Sequence, residues 1–279
     1  MDIKDLAGLS KPSCKLIETF QNGCSWFFKP AQIKRIASAS SEASSIESTA
    51  NFKQQLKQVL LEDTIDASHS IRAKRQFDNV ASIYAQASIE LQMIENIDET
   101  PVSQDWSARF FDYSKDISDE EAQIVWAKIL AGEIIKPGSF YKRTLSVLRD
   151  IEPFEARWFV NVCQFVICDS AVSYYQCMDY YPYNQIQSLM DCGLLNSEHC
   201  GININKDAKE LNGKTHSIKL LDYQTSDKNI TLEVFSLTDA GMQLYKITQS
   251  QTHQTYMMKL IELLERTYNL SLELVQNQL

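Results

Sequence analysis

The amino-acid sequence predicts a mainly α protein with a small β part. Glycine and proline, which interrupt regular elements, occur only 8 and 6 times in 279 residues. Residues 31–97 contain neither of them, and apolar side chains recur there at intervals of three or four positions. Beyond residue 200 the pattern changes to short segments with alternating polar and β-branched residues. These observations predict long helices first and short strands towards the C-terminal end.

The N-terminal part is expected to form an amphipathic segment over residues 1–30 and a long helical hairpin over 31–98. The hairpin helices are predicted at 31–61 and 64–97, with the break at the sequence LEDT. The second helix has an apolar stripe made of Phe77, Val80, Tyr84, Ala87, Leu91 and Ile94. Helices of this length are longer than a compact domain needs. The hairpin is therefore expected either to pack along the rest of the chain or to pair with a second copy.

A helical block is predicted over residues 104–152. It starts with a short aromatic helix at 105–114, followed by a capping box in which Ser118 is the N-cap and Glu121 lies at N3. The next helix contains Trp126, and the sequence Lys-Pro-Gly-Ser at 136–139 fits a type II turn. Further helices are expected at about 140–150 and 153–169.

The C-terminal part is predicted to be a winged-helix-like domain over residues 153–250, followed by a C-terminal helix over 251–279. A helix ending at Gly193 precedes three strand-like segments, and another helix begins at Thr238. The strand-like segments are 201–205, 216–224 and 229–237. This order of elements is similar to that of a winged helix.

The central block contains several short motifs. They are D-W at 105–106, S-D-E-E at 118–121, W-A-K-I-L-A-G-E at 126–133, P-G-S-F at 137–140 and R-T-L at 143–145. Together they resemble the signature of a bacterial family known only as a domain of unknown function. A W-A-x-x-L-A segment is also distantly similar to the abortive-infection alpha proteins, which are linked to phage resistance. The resemblance implies a biological setting, phage resistance, but it identifies no catalytic residue in this sequence.

The signature residues are expected to be structural. They are Asp105, Trp106, Trp126, Gly132, Glu133, Pro137, Gly138, Ser139 and Arg143. Glu133 is the one that could serve as a general base, but the chain has no His between residues 70 and 198 to act with it. The alternative is that Glu133 reaches across the Pro-Gly turn to free backbone N–H groups or to Arg143. Gly132 is expected to allow another element to approach closely.

Enzymatic and metal-binding motifs are missing from the sequence. It contains no G-x-S-x-G, H-E-x-x-H, G-x-x-x-x-G-K-[ST] or G-x-G-x-x-G motif, so no catalytic residue and no cofactor are expected. Cys192, His199 and Cys200 form a C-x6-H-C pattern that lacks the close cysteine pair of zinc sites, and we expect no metal. A hydrolase with an unfamiliar site would require several carboxylates converging in a deep pocket.

Nucleic-acid binding is disfavoured but stays an alternative. The formal net charge is −9, and neither the N-terminal, the central nor the C-terminal part is cationic. If the winged-helix-like domain binds DNA, Gln185 and Gln187 would read base edges. The phosphate contacts would then come from Lys206, Lys209, Lys214 and Lys219.

The compartment is expected to be the cytoplasm, because the N-terminus lacks the features of a signal peptide and the seven Cys are scattered. Residues 24–35 hold three aromatic and three basic residues, and a peripheral membrane contact there is weighed against a hydrophobic plug. The sequence thus favours a non-catalytic component that binds a protein partner or forms a homo-oligomer in a bacterial system, with phage defence as one setting. A winged-helix DNA-binding regulator is the alternative.

Overall fold

The structure, a computed structural model, describes residues 10–24, 70–173, 177–204, 210–223 and 230–277. The chain divides into two compact units, Met1–Arg149 and Asp150–Leu279. Most regular elements among the described residues are helices, and the strands form two small sheets. The predicted fold class, mainly α with a small β part, is thereby confirmed.

The helices of the first unit are α1 Lys11–Cys24, α2 Ser70–Glu90, α3 Gln104–Ser114, α4 Glu120–Ile135 and α5 Lys142–Asp150. α2 carries the first four residues of the predicted apolar stripe, of which Val80, Tyr84 and Ala87 are buried, whereas Leu91 and Ile94 lie beyond its end. It ends before Ile97, where the sequence pattern placed its end. The chain after α2 is held by tertiary contacts instead, since the Asp98 N–H donates a hydrogen bond to the Ile135 carbonyl at 2.9 Å.

Aromatic side chains from four helices form the core of the first unit. The Phe20 ring of α1 lies 5.0 Å from the Tyr84 ring of α2 and 5.3 Å from the Phe111 ring of α3, measured between centroids. The Phe110 ring also meets the Trp126 ring of α4 edge-on, at 5.3 Å. Burying each such side chain contributes about 2 to 3 kcal/mol. These contacts explain why helices of only moderate amphipathicity pack stably together.

The start of α4 differs by one residue from the prediction. The N-cap is Asp119 rather than Ser118, and its carboxylate accepts a hydrogen bond from the Ala122 N–H at 2.8 Å. Ser118 does not cap the helix because its hydroxyl accepts a hydrogen bond from the Asn79 side chain of α2, at 3.2 Å. A tertiary contact therefore decides between two residues that are both good N-caps.

Part of the N-terminal prediction lies outside the described residues. This holds for the first hairpin helix at 31–61, for residues 64–69 at the start of the second, and for residues 25–35 of the segment considered for membrane contact. No helix in the described ranges has the length and apolar character needed to cross a membrane.

The second unit contains helices and short strands. The helices are α6 Pro153–Val162, α7 Tyr183–Asp191, α8 Asp239–Ile247 and α9 Gln254–Tyr268. The strands are β1 Val166–Ile167, β2 Ala171–Ser173, β3 Leu195–Ile204, β4 Glu210–Asn212, β5 His216–Tyr223, β6 Ile230–Leu237 and β7 Leu270–Gln276. As the sequence predicts, α7 ends just before Gly193, and Thr238 caps α8 by accepting from the Gly241 N–H.

The strands form two antiparallel sheets, one in the order β1-β2-β6-β3 and the other in the order β4-β5-β7. The helix predicted at 153–169 is wrong in its second half. It ends at Val162, and after one short 3-10 turn Val166 and Ile167 pair with β2. β-branched residues at these two positions favour the strand.

The single C-terminal helix predicted over 251–279 is also wrong. α9 ends at Tyr268, and Asn269 adopts a left-handed conformation with a φ of 53°. β7 follows, and its first four residues alternate: Leu270 and Leu272 are buried, whereas Ser271 and Glu273 are exposed. This alternation has the period of a strand, and β7 pairs along its length with β5.

Candidate functional site

The Glu133 carboxylate lies at the C-terminal end of α4 and closes the turn that follows. One oxygen accepts a hydrogen bond from the Gly138 N–H at 2.7 Å and the other accepts from the Phe140 N–H at 3.0 Å. Glu133 is 2% exposed. This is the forward contact to backbone N–H groups that the sequence suggested, and Arg143, the other suggested partner, is exposed to solvent.

The turn itself has the predicted geometry. The Ser139 N–H donates to the Lys136 carbonyl at 3.2 Å, and Gly138 has a φ of 84°, as the third position of a type II turn requires. Pro137 occupies the second position. The Ser139 hydroxyl donates to the same Lys136 carbonyl at 2.7 Å. The Pro-Gly-Ser part of the signature therefore shapes a turn.

Phe140 joins the other signature residues to this turn. Its carbonyl accepts a hydrogen bond from the Trp106 indole N–H at 2.7 Å. Its ring lies against Gly132, where an added Cβ would come within 2.7 Å of the ring. The element that approaches Gly132 closely is therefore a side chain from beyond the turn. Trp126, one of the bulkiest signature residues, is fully buried.

Charged groups around Glu133 come from two other segments. The Lys15 ammonium of α1 donates to the Asp98 carbonyl at 2.5 Å. Burial raises the pKa of the Glu133 carboxyl, against the opposing effects of the backbone hydrogen bonds and the Lys15 charge. Burial likewise lowers the pKa of the Lys15 ammonium. Both Glu133 and Lys15 are buried, and both form hydrogen bonds with backbone groups of the protein.

Asp105 and Arg143 lie on the surface. The Asp105 carboxylate is 3.9 Å from the Lys142 ammonium, and both side chains are largely exposed. Exposed pairs of this kind contribute little to stability. These two signature residues therefore stand apart from the buried cluster that Trp106, Gly132 and Glu133 form with Phe140.

The residues considered for nucleic-acid contact are dispersed. Lys206 and Lys209 lie outside the described residues. The Lys214 ammonium donates to the carbonyls of Tyr245 and Thr248 and lies over the Tyr245 ring, so it is used within the second unit. Gln187 donates to Asp191 at 3.0 Å, one turn along α7, and Gln185 is half-buried. Lys219 is exposed on β5.

The C-x6-H-C pattern includes His199, whose side chain lies outside the described part of the chain. In the described part of the chain no cluster of three or more His, Cys, Asp or Glu side chains could hold a metal ion. Cys163, Cys168, Cys177, Cys192 and Cys200 form no disulfide bond. Burial raises the pKa of both the Cys163 and the Cys177 thiols to about 12. These two thiols remain protonated at neutral pH and are poor nucleophiles.

A polar network fixes α2 to the chain between α3 and α4. The Asn79 amide donates to the Lys115 carbonyl at 2.8 Å and to the Ser118 hydroxyl. The Gln123 amide donates to the Ile117 carbonyl at 2.9 Å and to the Asn79 side-chain oxygen. Both amides are buried.

A cavity of about 190 Å³ opens beside this network. Its walls are formed by Asp78, Asn79, Ala81, Ser82, Ser118, Glu120 and Gln123. No sequence motif marks this cavity. Its only signal is a set of polar residues beside the apolar stripe of α2, which is also what a solvated helix flank would show.

The fold and these two sites define a mainly α protein whose helical unit contains a buried signature cluster and a polar cavity. Residues 66–178 match the model of a family described as "Protein of unknown function (DUF2806)". The matched range includes all the central signature motifs, from Asp105 to Leu145. The predicted similarity to a family of unknown function is thus confirmed for this part of the chain. Neither the curated proteins nor the solved structures contain a match to the chain.

Proposed function

We propose that the protein is a non-catalytic component that binds a protein partner or a second copy of itself. The observation that supports this proposal is the outward face of α6 in the second unit. Phe154 and Val160 are 42% and 43% exposed on it, and Arg157 is exposed between them. Aromatic residues and arginine are enriched in protein interfaces. Helical residues at this spacing present a continuous surface.

α6 is firmly held from behind, which favours binding by a pre-formed surface. Glu152 and Glu155 form a capping box at its start, and the Glu155 carboxylate also accepts from the Ser188 hydroxyl of α7 at 2.7 Å. Phe159 and Val162 are buried on the inner face. A surface that is already ordered loses little conformational entropy on binding.

The test compares the full-length protein with the double variant Phe154→Gln/Val160→Gln. Met258→Gln is the matched control, because Met258 is 55% exposed on a helix of the same unit. Sedimentation velocity over a range of concentrations measures self-association, and affinity purification from the native host with quantitative mass spectrometry measures partners. We expect the double variant to lose at least one association that the control keeps. Identical behaviour of all three proteins would contradict the proposal.

The proposed setting is a bacterial cytosolic system, with phage defence by abortive infection as the setting that the resemblance suggests. A plaque assay in the native host tests it. The double variant should restore plaque formation to the level of a deletion strain, whereas Met258→Gln should protect as the wild type does. If a deletion strain and the wild type are equally sensitive to every phage tried, phage defence is not the setting.

A DNA-binding regulator is a second candidate, and the order of α7, β3, β6 and α8 along the second unit supports it. The predicted strand at 216–224 does not, because β5 pairs with β4 and β7 and not with β3 or β6. In such a domain α7 would face the major groove, with Asn184 exposed on it. Titration of the full-length protein with duplex DNA at low and moderate salt tests this candidate. Binding that weakens steeply with salt would support it. The absence of binding at low salt would remove it.

A further inference from the structure

We infer that the cavity between α2 and α4 binds a guanidinium group. This inference concerns the first unit and does not depend on the α6 surface proposed above. It rests on which hydrogen-bonding groups around the cavity are used by the protein and which remain.

The side-chain amide donors around the cavity are already used. Both hydrogen bonds from the Asn79 amide nitrogen go to Lys115 and Ser118, and both from the Gln123 amide nitrogen go to Ile117 and Asn79. These bonds also hold the two side chains in place. A ligand that needs donors from the protein therefore finds few of them here.

Acceptors remain available. Within the described residues, the Asp78 and Glu120 carboxylates have no ion-pair partner. The Ser82 hydroxyl oxygen, in the cavity wall, is buried and has no hydrogen-bond partner in the described part of the chain. Buried polar atoms without partners are rare in folded proteins. Two carboxylates without an ion-pair partner among the described residues, together with the Ser82 hydroxyl, favour a cationic ligand that brings several donors.

The neighbouring cations do not supply this charge. Arg75 lies one turn before Asp78, but its guanidinium is 3.9 Å from Asp116, whose carboxylate also accepts from Gln76. Lys115 is paired with Asp112. The positive end of the α4 dipole could attract an anion, but Asp119, Glu120 and Glu121 already place negative charge there.

Guanidinium fits the cavity better than other cations. A cavity of roughly 150 Å³ holds a molecule the size of benzene, and a guanidinium group has fewer non-hydrogen atoms than benzene. Its five N–H donors lie in one plane, so one guanidinium group can donate to more than one carboxylate. A primary ammonium group has three donors that do not lie in one plane, and a metal ion would need more charged ligands than Asp78 and Glu120 provide.

The guanidinium could belong to an arginine side chain of a protein or to a small free compound. Isothermal titration calorimetry on the full-length protein separates these sources with three probes: methylguanidinium, the tripeptide Gly-Arg-Gly, and the same peptide with citrulline, the neutral isostere. We expect the arginine peptide to bind at least roughly tenfold more tightly than the citrulline peptide, because charge-assisted hydrogen bonds are the stronger ones. Tighter binding of the peptide than of methylguanidinium indicates a protein ligand, and the reverse indicates a small compound.

The double variant Asp78→Asn/Glu120→Gln should bind the arginine peptide at least roughly tenfold more weakly than the wild type. Glu121→Gln is the matched control, because Glu121 is the adjacent exposed carboxylate of α4 and does not line the cavity. The inference is wrong if the citrulline and arginine peptides bind equally, or if the double variant binds like the control. It is also wrong if neither methylguanidinium nor the arginine peptide binds the wild type at concentrations on the order of 10 mM. The comparison of peptides needs no variant, so it stands even if a substitution impairs folding.

Discussion

The two ends of α4 hold glutamates in opposite situations. At the C-terminal end, Glu133 is buried and both of its oxygens accept backbone hydrogen bonds, from Gly138 and Phe140. At the N-terminal end, Glu120 lines a cavity together with Asp78 and a buried Ser82 hydroxyl that has no partner in the described part of the chain. The motif-like residues of the signature lie at the first end.

This difference separates a structural role from a binding role. A buried carboxylate with all its acceptors used stabilises the fold and has little capacity for a ligand. Acceptors that the fold leaves unused cost free energy, and a ligand that supplies donors recovers it. Substitutions at the two ends should therefore separate stability from binding.

The largest expected effect is at Glu133. Replacing Glu133 by Ala leaves the Gly138 and Phe140 N–H groups without their acceptor, at a cost of roughly 2 to 4 kcal/mol in the free energy of unfolding. Chemical denaturation monitored by tryptophan fluorescence measures this change. Glu120→Ala, at the other end of the helix, is the control and should cost much less. Equal losses for the two variants would contradict the structural role of Glu133.

The next effect is at Gly132. An added Cβ would meet the Phe140 ring at 2.7 Å, so Gly132→Ala should destabilise the protein by about 1 to 2 kcal/mol despite the better helix propensity of Ala. In a Phe140→Leu background the same substitution should become neutral or stabilising. A double-mutant cycle by thermal unfolding measures this coupling. Additive effects of the two substitutions would show that the ring contact is not the cause.

A smaller effect is expected in the pH dependence of stability. The pKa of Glu133 is raised by burial, so the folded state holds this proton more strongly than the unfolded state does. The contribution is fully present below the ordinary carboxyl pKa and is lost as the pH rises through the raised one. The stability of the wild type relative to Glu133→Gln should therefore fall as the pH rises above about 4.5. Thermal unfolding of both proteins in steps of pH measures the difference, and a constant difference would contradict this prediction.

The smallest effect on stability is expected at the cavity. Asp78→Asn and Glu120→Gln should each change the free energy of unfolding by no more than about 0.5 kcal/mol, because neither carboxylate has an ion-pair partner among the described residues. Urea denaturation measures both changes. A loss of unfolding free energy comparable to that of Glu133→Ala would mean that the carboxylates at both ends of α4 stabilise the fold.

Local signals predicted several elements well. The aromatic helix α3, the type II turn with Gly138, the end of α7 before Gly193 and the capping of α8 by Thr238 follow from residues a few positions apart. The contact of Glu133 with the N–H groups beyond the turn could also be foreseen, because it spans only seven residues. Short-range geometry leaves few alternatives in each of these cases.

Elements whose form depends on distant partners were predicted less well. Apolar and polar residues alternate at the start of Leu270–Gln276, but so short a pattern is also compatible with the end of a long amphipathic helix. Pairing with β5 makes the segment a strand. Val166 and Ile167 likewise become strand residues through β2. Asp119 caps α4 in place of Ser118, because the Ser118 hydroxyl accepts a hydrogen bond from Asn79, which lies 39 residues earlier in the sequence.

The sequence by itself determined the mainly α class, the buried stripe of α2 and the turn that closes the signature, because periodicity and turn chemistry act over a few residues. Only the tertiary structure decided which strands pair and which polar side chains are left with free acceptors. Hydrogen-bond satisfaction depends on groups far apart in the chain, and Asp78, Ser82 and Glu120 become one cavity only when α2 packs on α4.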